Sequence, residues 1–109
     1  MVVKIKSDLS FLTVFVEYFD NERIVKILLA NAKPQELKII FELARNTLVG
    51  NIPISSDQRN KLSKYEKDLI ILAEKSDNKL LFRKKVKILE RKRVLFENLI
   101  EIAEEFLLN

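Results

Sequence analysis

Apolar residues recur at helical spacing along most of this chain. Leu9, Leu12, Phe15, Val16 and Phe19 follow one another at intervals of 3, 3, 1 and 3, which predicts a helix over residues 8–19 with Ser7 or Asp8 as its cap. Phe11 and Val14 widen that face. The β-branched run Thr13-Val14-Phe15-Val16 leaves a strand as the alternative there. Asp20-Asn21 interrupts the pattern and caps a second helix over residues 21–31, whose apolar side is Ile24, Val25, Ile27 and Leu28. Pro34 suits the first turn of a third helix, with Gln35 and Glu36 near its positive end. Leu37, Ile40, Phe41, Ala44 and Leu48 give that helix its core stripe as far as Val49, with Lys38, Glu42 and Arg45 opposite.

The pattern stops at Leu48-Val49-Gly50-Asn51-Ile52-Pro53-Ile54-Ser55-Ser56, which contains the sole glycine and one of the two prolines. Gly50 and Asn51 accept the positive φ that closes a helix. Pro53 cannot continue one, and Ser55 stands three residues before Gln58, the spacing of a capping box. Gly50, Asn51, Pro53 and Ser55 therefore form a structural joint. Beyond it a fourth helix is predicted over residues 56–75, buried through Leu62, Tyr65, Leu69, Leu72 and Ala73 and solvated through Arg59, Lys61, Lys64 and Lys67. Ser76-Asp77-Asn78 breaks the pattern again.

From residue 79 to 107 no Gly or Pro interrupts, which predicts one long helix of about 43 Å at roughly 1.5 Å per residue. Two adjacent stripes along it are apolar. One runs Phe82, Val86, Leu89, Phe96, Ile100, Ala103 and Leu107; the other runs Leu81, Ile88, Leu95, Leu99, Ile102 and Phe106. Together they exceed what one member of a bundle of short helices needs. The expected fold is all-α: a single domain over residues 1–109, a compact bundle of about five helices ending in one long helix. Residues 1–6 read as a short strand or a lead into it, not as a secretion signal.

Composition narrows the chemistry. The chain has neither cysteine nor histidine, which removes thiolate sites, disulfides, the commonest general base and the commonest transition-metal ligand. Glu101 with Glu104 or Glu105 has the spacing of a shared carboxylate site but lacks the histidine such sites use. Ser55 and Ser56 lack a histidine base and read as caps. No catalytic residue, cofactor or metal is expected. No run of about 20 apolar residues is present, so no membrane span is expected.

Charge adds the sharpest feature. Residues 51–93 hold thirteen basic and six acidic side chains, whereas residues 94–109 hold four acidic and no basic ones. Seven cations fall within Arg83–Arg93. Lys84, Lys87 and Arg91 share a helix side, with Arg83 and Lys92 beside them. Lys61, Lys64 and Lys67 extend the patch if the fourth helix packs antiparallel to the fifth. Such a face can follow phosphates by releasing condensed counterions, and Tyr65 between Lys64 and Lys67 could stack on a base. A solvated face, or a nuclear-import signal, is the plainer account. Basic residues in the first half of the long helix and acidic ones in the second oppose its dipole. An antiparallel second copy would pair the halves and cover the apolar excess, with Leu95, Leu99, Ile102 and Phe106 as the dimer interface.

From Leu43 to Lys75, the order of apolar helix, Leu-Val-Gly-Asn-Ile-Pro-Ile-Ser, Gln58-Arg59, Lys61-Leu62, Lys64-Tyr65, Leu69 and Leu72-Ala73, followed by Arg83-Lys84-Lys85-Val86-Lys87, resembles a family. These are the small basic helical proteins of Polinton/Maverick-type elements and adintovirus-like DNA viruses of invertebrates. The resemblance spans roughly residues 22–93. It implies a viral or mobile-element setting and a virion component near packaged DNA. The relatives follow their second basic run with Gly-Gly-Phe and an apolar or flexible tail, where this chain has Val94-Leu95-Phe96. The expected function is non-enzymatic nucleic-acid binding without strong sequence preference, in an intracellular protein of nucleus or virion. The alternative is a dimeric interaction or scaffold module, capsid-associated or host-factor-binding, with no nucleic-acid role.

Overall fold

The computed structural model describes residues 10–75 and 78–105. Among them seven helices follow in order: α1 (Ser10–Tyr18), α2 (Glu22–Asn31), α3 (Pro34–Leu48), α4 (Ser56–Ser63), α5 (Glu66–Ala73), α6 (Lys79–Arg91) and α7 (Arg93–Ala103). No strand occurs among the described residues, and Thr13–Val16 is helical. The proposed lead over residues 1–6, the caps at Ser7 and Asp8, the Ser76-Asp77 break and the positions of Phe106 and Leu107 lie outside the described residues.

The caps form where short polar side chains precede apolar periodicity. The Asn21 side-chain oxygen accepts from the Ile24 N–H at 3.1 Å, opening α2. Pro34 starts α3, and the Lys33 N–H donates to the Glu36 carboxylate at 2.8 Å. At the joint, Gly50 takes φ +81°, its N–H donates to the Thr47 carbonyl at 3.3 Å, and the Asn51 N–H donates to the Asn46 carbonyl at 2.9 Å. These are the paired bonds of a glycine-closed helix end. The Gln58 N–H then donates to Ser55 Oγ at 3.1 Å, and the Ser55 N–H donates back to Gln58 Oε1 at 2.9 Å. This reciprocal capping box opens α4.

Two expected helices are each broken in two. The segment from residue 56 to 73 divides at Lys64-Tyr65. The Ser63 hydroxyl donates to the Asn60 carbonyl at 2.7 Å, and the Tyr65 N–H reaches only three residues back, to Leu62. A serine bonding back onto its own helix loosens that turn. Glu66 and Asp68 then occupy the first turn of α5, where negative charge is favoured.

The expected 79–107 helix breaks at Lys92, at φ −106° and ψ 62°. The break loses little bonding. The Lys92 N–H donates to Ile88 at 2.8 Å and its carbonyl accepts from Phe96 at 3.0 Å. The gain is burial. Leu95, Phe96, Leu99, Ile100, Ile102 and Ala103 are all fully buried.

The core draws side chains from all seven helices. α3 packs on α5 and α7, while α7 also meets α1, α4 and α6, so these two helices form the centre. Phe96 sits edge-on to Phe15 at 4.9 Å and to Phe19 at 5.5 Å. Some expected faces are rotated: α2 buries Val25 and Leu29 and exposes Ile27, and Val16 and Leu48 face outward. The described residues span 32 × 30 × 28 Å. None of their helices is long and apolar enough to cross a membrane.

Candidate functional site

α6 is an amphipathic helix with a cationic outer face. Asn78 caps it, accepting from the Leu80 N–H at 2.8 Å. Ile88 and Leu89 are buried, and Leu81, Phe82 and Val86 half-buried. At 3.6 residues per turn this inward arc leaves Lys79, Arg83, Lys84, Lys87 and Arg91 on the opposite side, and all five are exposed. Lys92 is exposed at the break beyond them. The ion pairs among the described residues are Lys26–Glu22 at 3.9 Å and Lys61–Asp57 at 3.4 Å, so none of the α6 cations is neutralised by a close carboxylate.

The sequence-predicted basic patch is thus divided. Arg83, Lys84, Lys87, Arg91 and Lys92 belong to one helix and the turn that ends it. Lys61, Lys64 and Lys67 stand on two shorter elements, α4 with its end and α5, because the single 56–75 helix expected to carry them does not form. α4 packs mainly on α7, with Gln58 Nε2 donating to Glu105 Oε2 at 3.0 Å. α5 packs mainly on α3 and approaches α6 around the cavity that Leu72–Lys75 line with Phe82 and Lys85. Lys61 is paired to Asp57, Lys64 ends α4 and Lys67 stands in the first turn of α5. Tyr65 is half-buried against the core.

The proposed dimer interface is corrected by burial. Leu95, Leu99 and Ile102 have no exposed surface within the single chain. Their apolar excess is taken up by α1, α3, α4 and α6, which leaves nothing at these positions for a second copy. Phe106 lies outside the described residues. The charge argument for an antiparallel copy weakens as well. Once α6 ends at Arg91, that cation lies in a C-terminal turn, where positive charge is favoured.

Lys85 departs from the other cations of the charge run. It stands among five neighbouring cations of α6 yet is 5% exposed. Its ammonium lies 4.8 Å over the Phe41 ring and donates to the Glu74 backbone carbonyl. Burial pulls its pKa below 10.5, and the Glu74 charge partly offsets the shift. Its register was a readable signal: it is three or four residues from Leu81, Phe82, Ile88 and Leu89, so it falls within the inward arc.

Fold and site together describe an all-α arrangement with a cationic helix face that is unpaired among the described residues. Searches against protein-family models, curated proteins and solved structures find no match. Among the described residues no three acidic side chains converge in a way that could hold a metal ion.

Proposed function

We propose that the chain is a non-enzymatic nucleic-acid-binding protein that engages the phosphate backbone through the outer face of α6 without strong sequence preference. The observation that carries this reading is the set of exposed cations Lys79, Arg83, Lys84, Lys87 and Arg91 on one helix side, none in an ion pair among the described residues. Arg83, Lys87 and Arg91 repeat every four residues, about 6 Å of helix rise per step, against a duplex that carries a charge every ~1.7 Å of axis. The face carries only Lys and Arg, with no Asn, Gln, Ser or Thr among its cations, so the binding it supports is dominated by phosphate contacts. The resemblance to small basic proteins of Polinton/Maverick-type elements and adintovirus-like viruses supports a place beside packaged DNA, in virion or nucleus.

The test is affinity for unrelated duplexes across a salt series. Wild-type affinity should fall steeply with salt, and each phosphate contact removed by charge reversal at Lys84, Lys87 or Arg91 should reduce the log–log slope by about 0.9. Reversal at Lys61, already paired to Asp57, should change it less. Absence of binding at low salt would remove the proposal.

A second reading, a protein-interaction module, has one observation in its favour. Leu48, Val49 and Ile70 are 40, 58 and 51% exposed and line one shallow recess. Exposed apolar side chains gathered in one place mark interaction surfaces. Self-association that is insensitive to salt and lost on Val49→Glu or Ile70→Glu would favour it.

A further inference from the structure

A cavity of about 370 Å³ lies between α3, the end of α5 and α6, within the range of roughly 300–1,000 Å³ typical of small-molecule sites. Its apolar walls are Phe41, Phe82 and Leu72; the two rings meet edge to face at 5.9 Å and 82°. Four cations line it, Lys38, Arg45, Lys75 and Lys85, against two carboxylates, Glu42 and Glu74. The balance is positive by two charges.

Two of those cations are under-used by the protein. Arg45 Nη1 is buried and has no hydrogen-bond partner among the described residues. Lys85 offers three donors, of which one reaches the Glu74 carbonyl; among the described residues no carboxylate lies within ion-pair distance of it. Taking a cation's donors out of water is costly unless charge or hydrogen bonds compensate it. Glu74 and the Phe41 ring do so only in part for Lys85, and Nη1 of the half-buried Arg45 has no partner among the described residues. Here both line a single cavity with an aromatic wall.

We infer that this cavity is a binding site for a small organic monocarboxylate with an aromatic or alkyl body, its carboxylate held by Lys85 and Arg45 and its body against Phe41 and Phe82. The guanidinium fork matches a carboxylate geometrically. Glu42 and Glu74 in the same lining oppose a second negative charge on the ligand. The apolar wall gives no return to a bare inorganic anion. The site is separate from the proposed nucleic-acid face, because Lys85 is on the inward arc of α6 and the phosphate-binding cations are on the outward one.

The experiment uses the 109-residue chain and naphthalene-2-carboxylate as the probe, followed by titration calorimetry and backbone amide NMR shifts. Saturable binding is expected, with shifts centred on Phe41, Phe82 and Lys85. 2-Naphthalenemethanol, with the same body and no charge, and inorganic phosphate, with charge and no body, should each bind roughly tenfold more weakly or worse. Lys85→Met and Arg45→Gln should each cost a similar factor while the amide spectrum stays folded; Arg45→Gln stands alone if Lys85→Met does not fold. No saturable binding of the naphthoate overturns the inference. So does equal affinity for the alcohol or for phosphate, or undiminished binding by a folded variant. Lys85→Met should leave the salt slope of duplex binding unchanged, so either proposal can fail without the other.

Discussion

Replacing Gly50 tests whether the joint after α3 is a mechanical device. Gly50 holds φ +81°, and a Cβ built there would meet no heavy atom within 4 Å. A substitution therefore creates no tertiary clash, and its cost is the backbone's own. An L-residue in the left-handed region costs about 1–2 kcal/mol. Restricting the unfolded chain offsets about 0.4–1 kcal/mol of that for alanine. Gly50→Ala should thus lose roughly 1 kcal/mol, and Gly50→Val more, toward about 2 kcal/mol, because a β-branched residue tolerates positive φ worst. Gly50→Asn should lose least, since asparagine also closes helices in this conformation. At about 4–8 °C per kcal/mol for a chain near this size, Tm should fall in the order Asn, Ala, Val. Thermal and urea unfolding followed by far-ultraviolet circular dichroism reads the series. If Gly50→Val melted with the wild type, the positive φ would not be a stability requirement. If it melted with the wild type and also lost duplex binding, the joint would be touching ligand.

Leu99→Ala should destabilise the chain by about 2–5 kcal/mol through the cavity it leaves, with no change in sedimentation of the folded species. A folded Leu99→Ala monomer of wild-type stability derived from a wild-type dimer would contradict the burial of α7. Lys85 should make stability depend on alkaline pH. Its folded pKa lies below the unfolded 10.5, so between the two values the unfolded chain binds more protons and stability rises with pH. The groups lining the cavity with it are Glu42, Glu74, Lys38, Arg45 and Lys75. Urea unfolding of wild type and Lys85→Met from neutral to alkaline pH should show that rise in the wild type only; parallel curves would refute it.

The first half of the fold was legible because its punctuation is chemical. Asn21, Pro34, Gly50 and Ser55 each force or cap a helix end by their own covalent nature, and the structure uses all four. The breaks at Lys64-Tyr65 and Lys92 carry no such residue. The first depends on a serine bonding back onto a carbonyl, the second on how much of α7 the rest of the chain can surround. Neither a local side-chain bond nor tertiary packing is encoded by periodicity. The same limit explains the misplaced dimer seam. A wide apolar face identifies residues that leave water, and it is silent on whether the cover is another copy or the chain's own helices. The cationic face was legible in part. Arg83, Lys84, Lys87 and Arg91 remain together because they share a helix, whereas the single helix expected to carry Lys61, Lys64 and Lys67 is divided at Tyr65.

The break at Lys92 also bears on why the α6 cations remain unpaired. The chain's acidic excess begins only at Glu97, in the helix after the break, and a single straight helix would have kept both sets on one rod. Instead α7 turns into the core, and Arg93, the cation nearest its start, gives a guanidinium N–H to the Phe19 carbonyl at 3.2 Å. Glu97 and Glu101 are exposed on α7, and neither forms an ion pair with an α6 side chain. The formal net charge of +4 therefore understates the local field along α6. Exposed charges are screened over about 10 Å at 0.1 M salt, so a polyanion meeting this face responds most to the cations it touches. Neutralising Glu97 and Glu101 to Gln should consequently change duplex affinity much less than neutralising Lys84 and Lys87 to Gln, although each double variant shifts the net charge by two units. A binding titration at 0.1 M salt separates local from net charge, and equal effects from the two pairs would show that net charge governs.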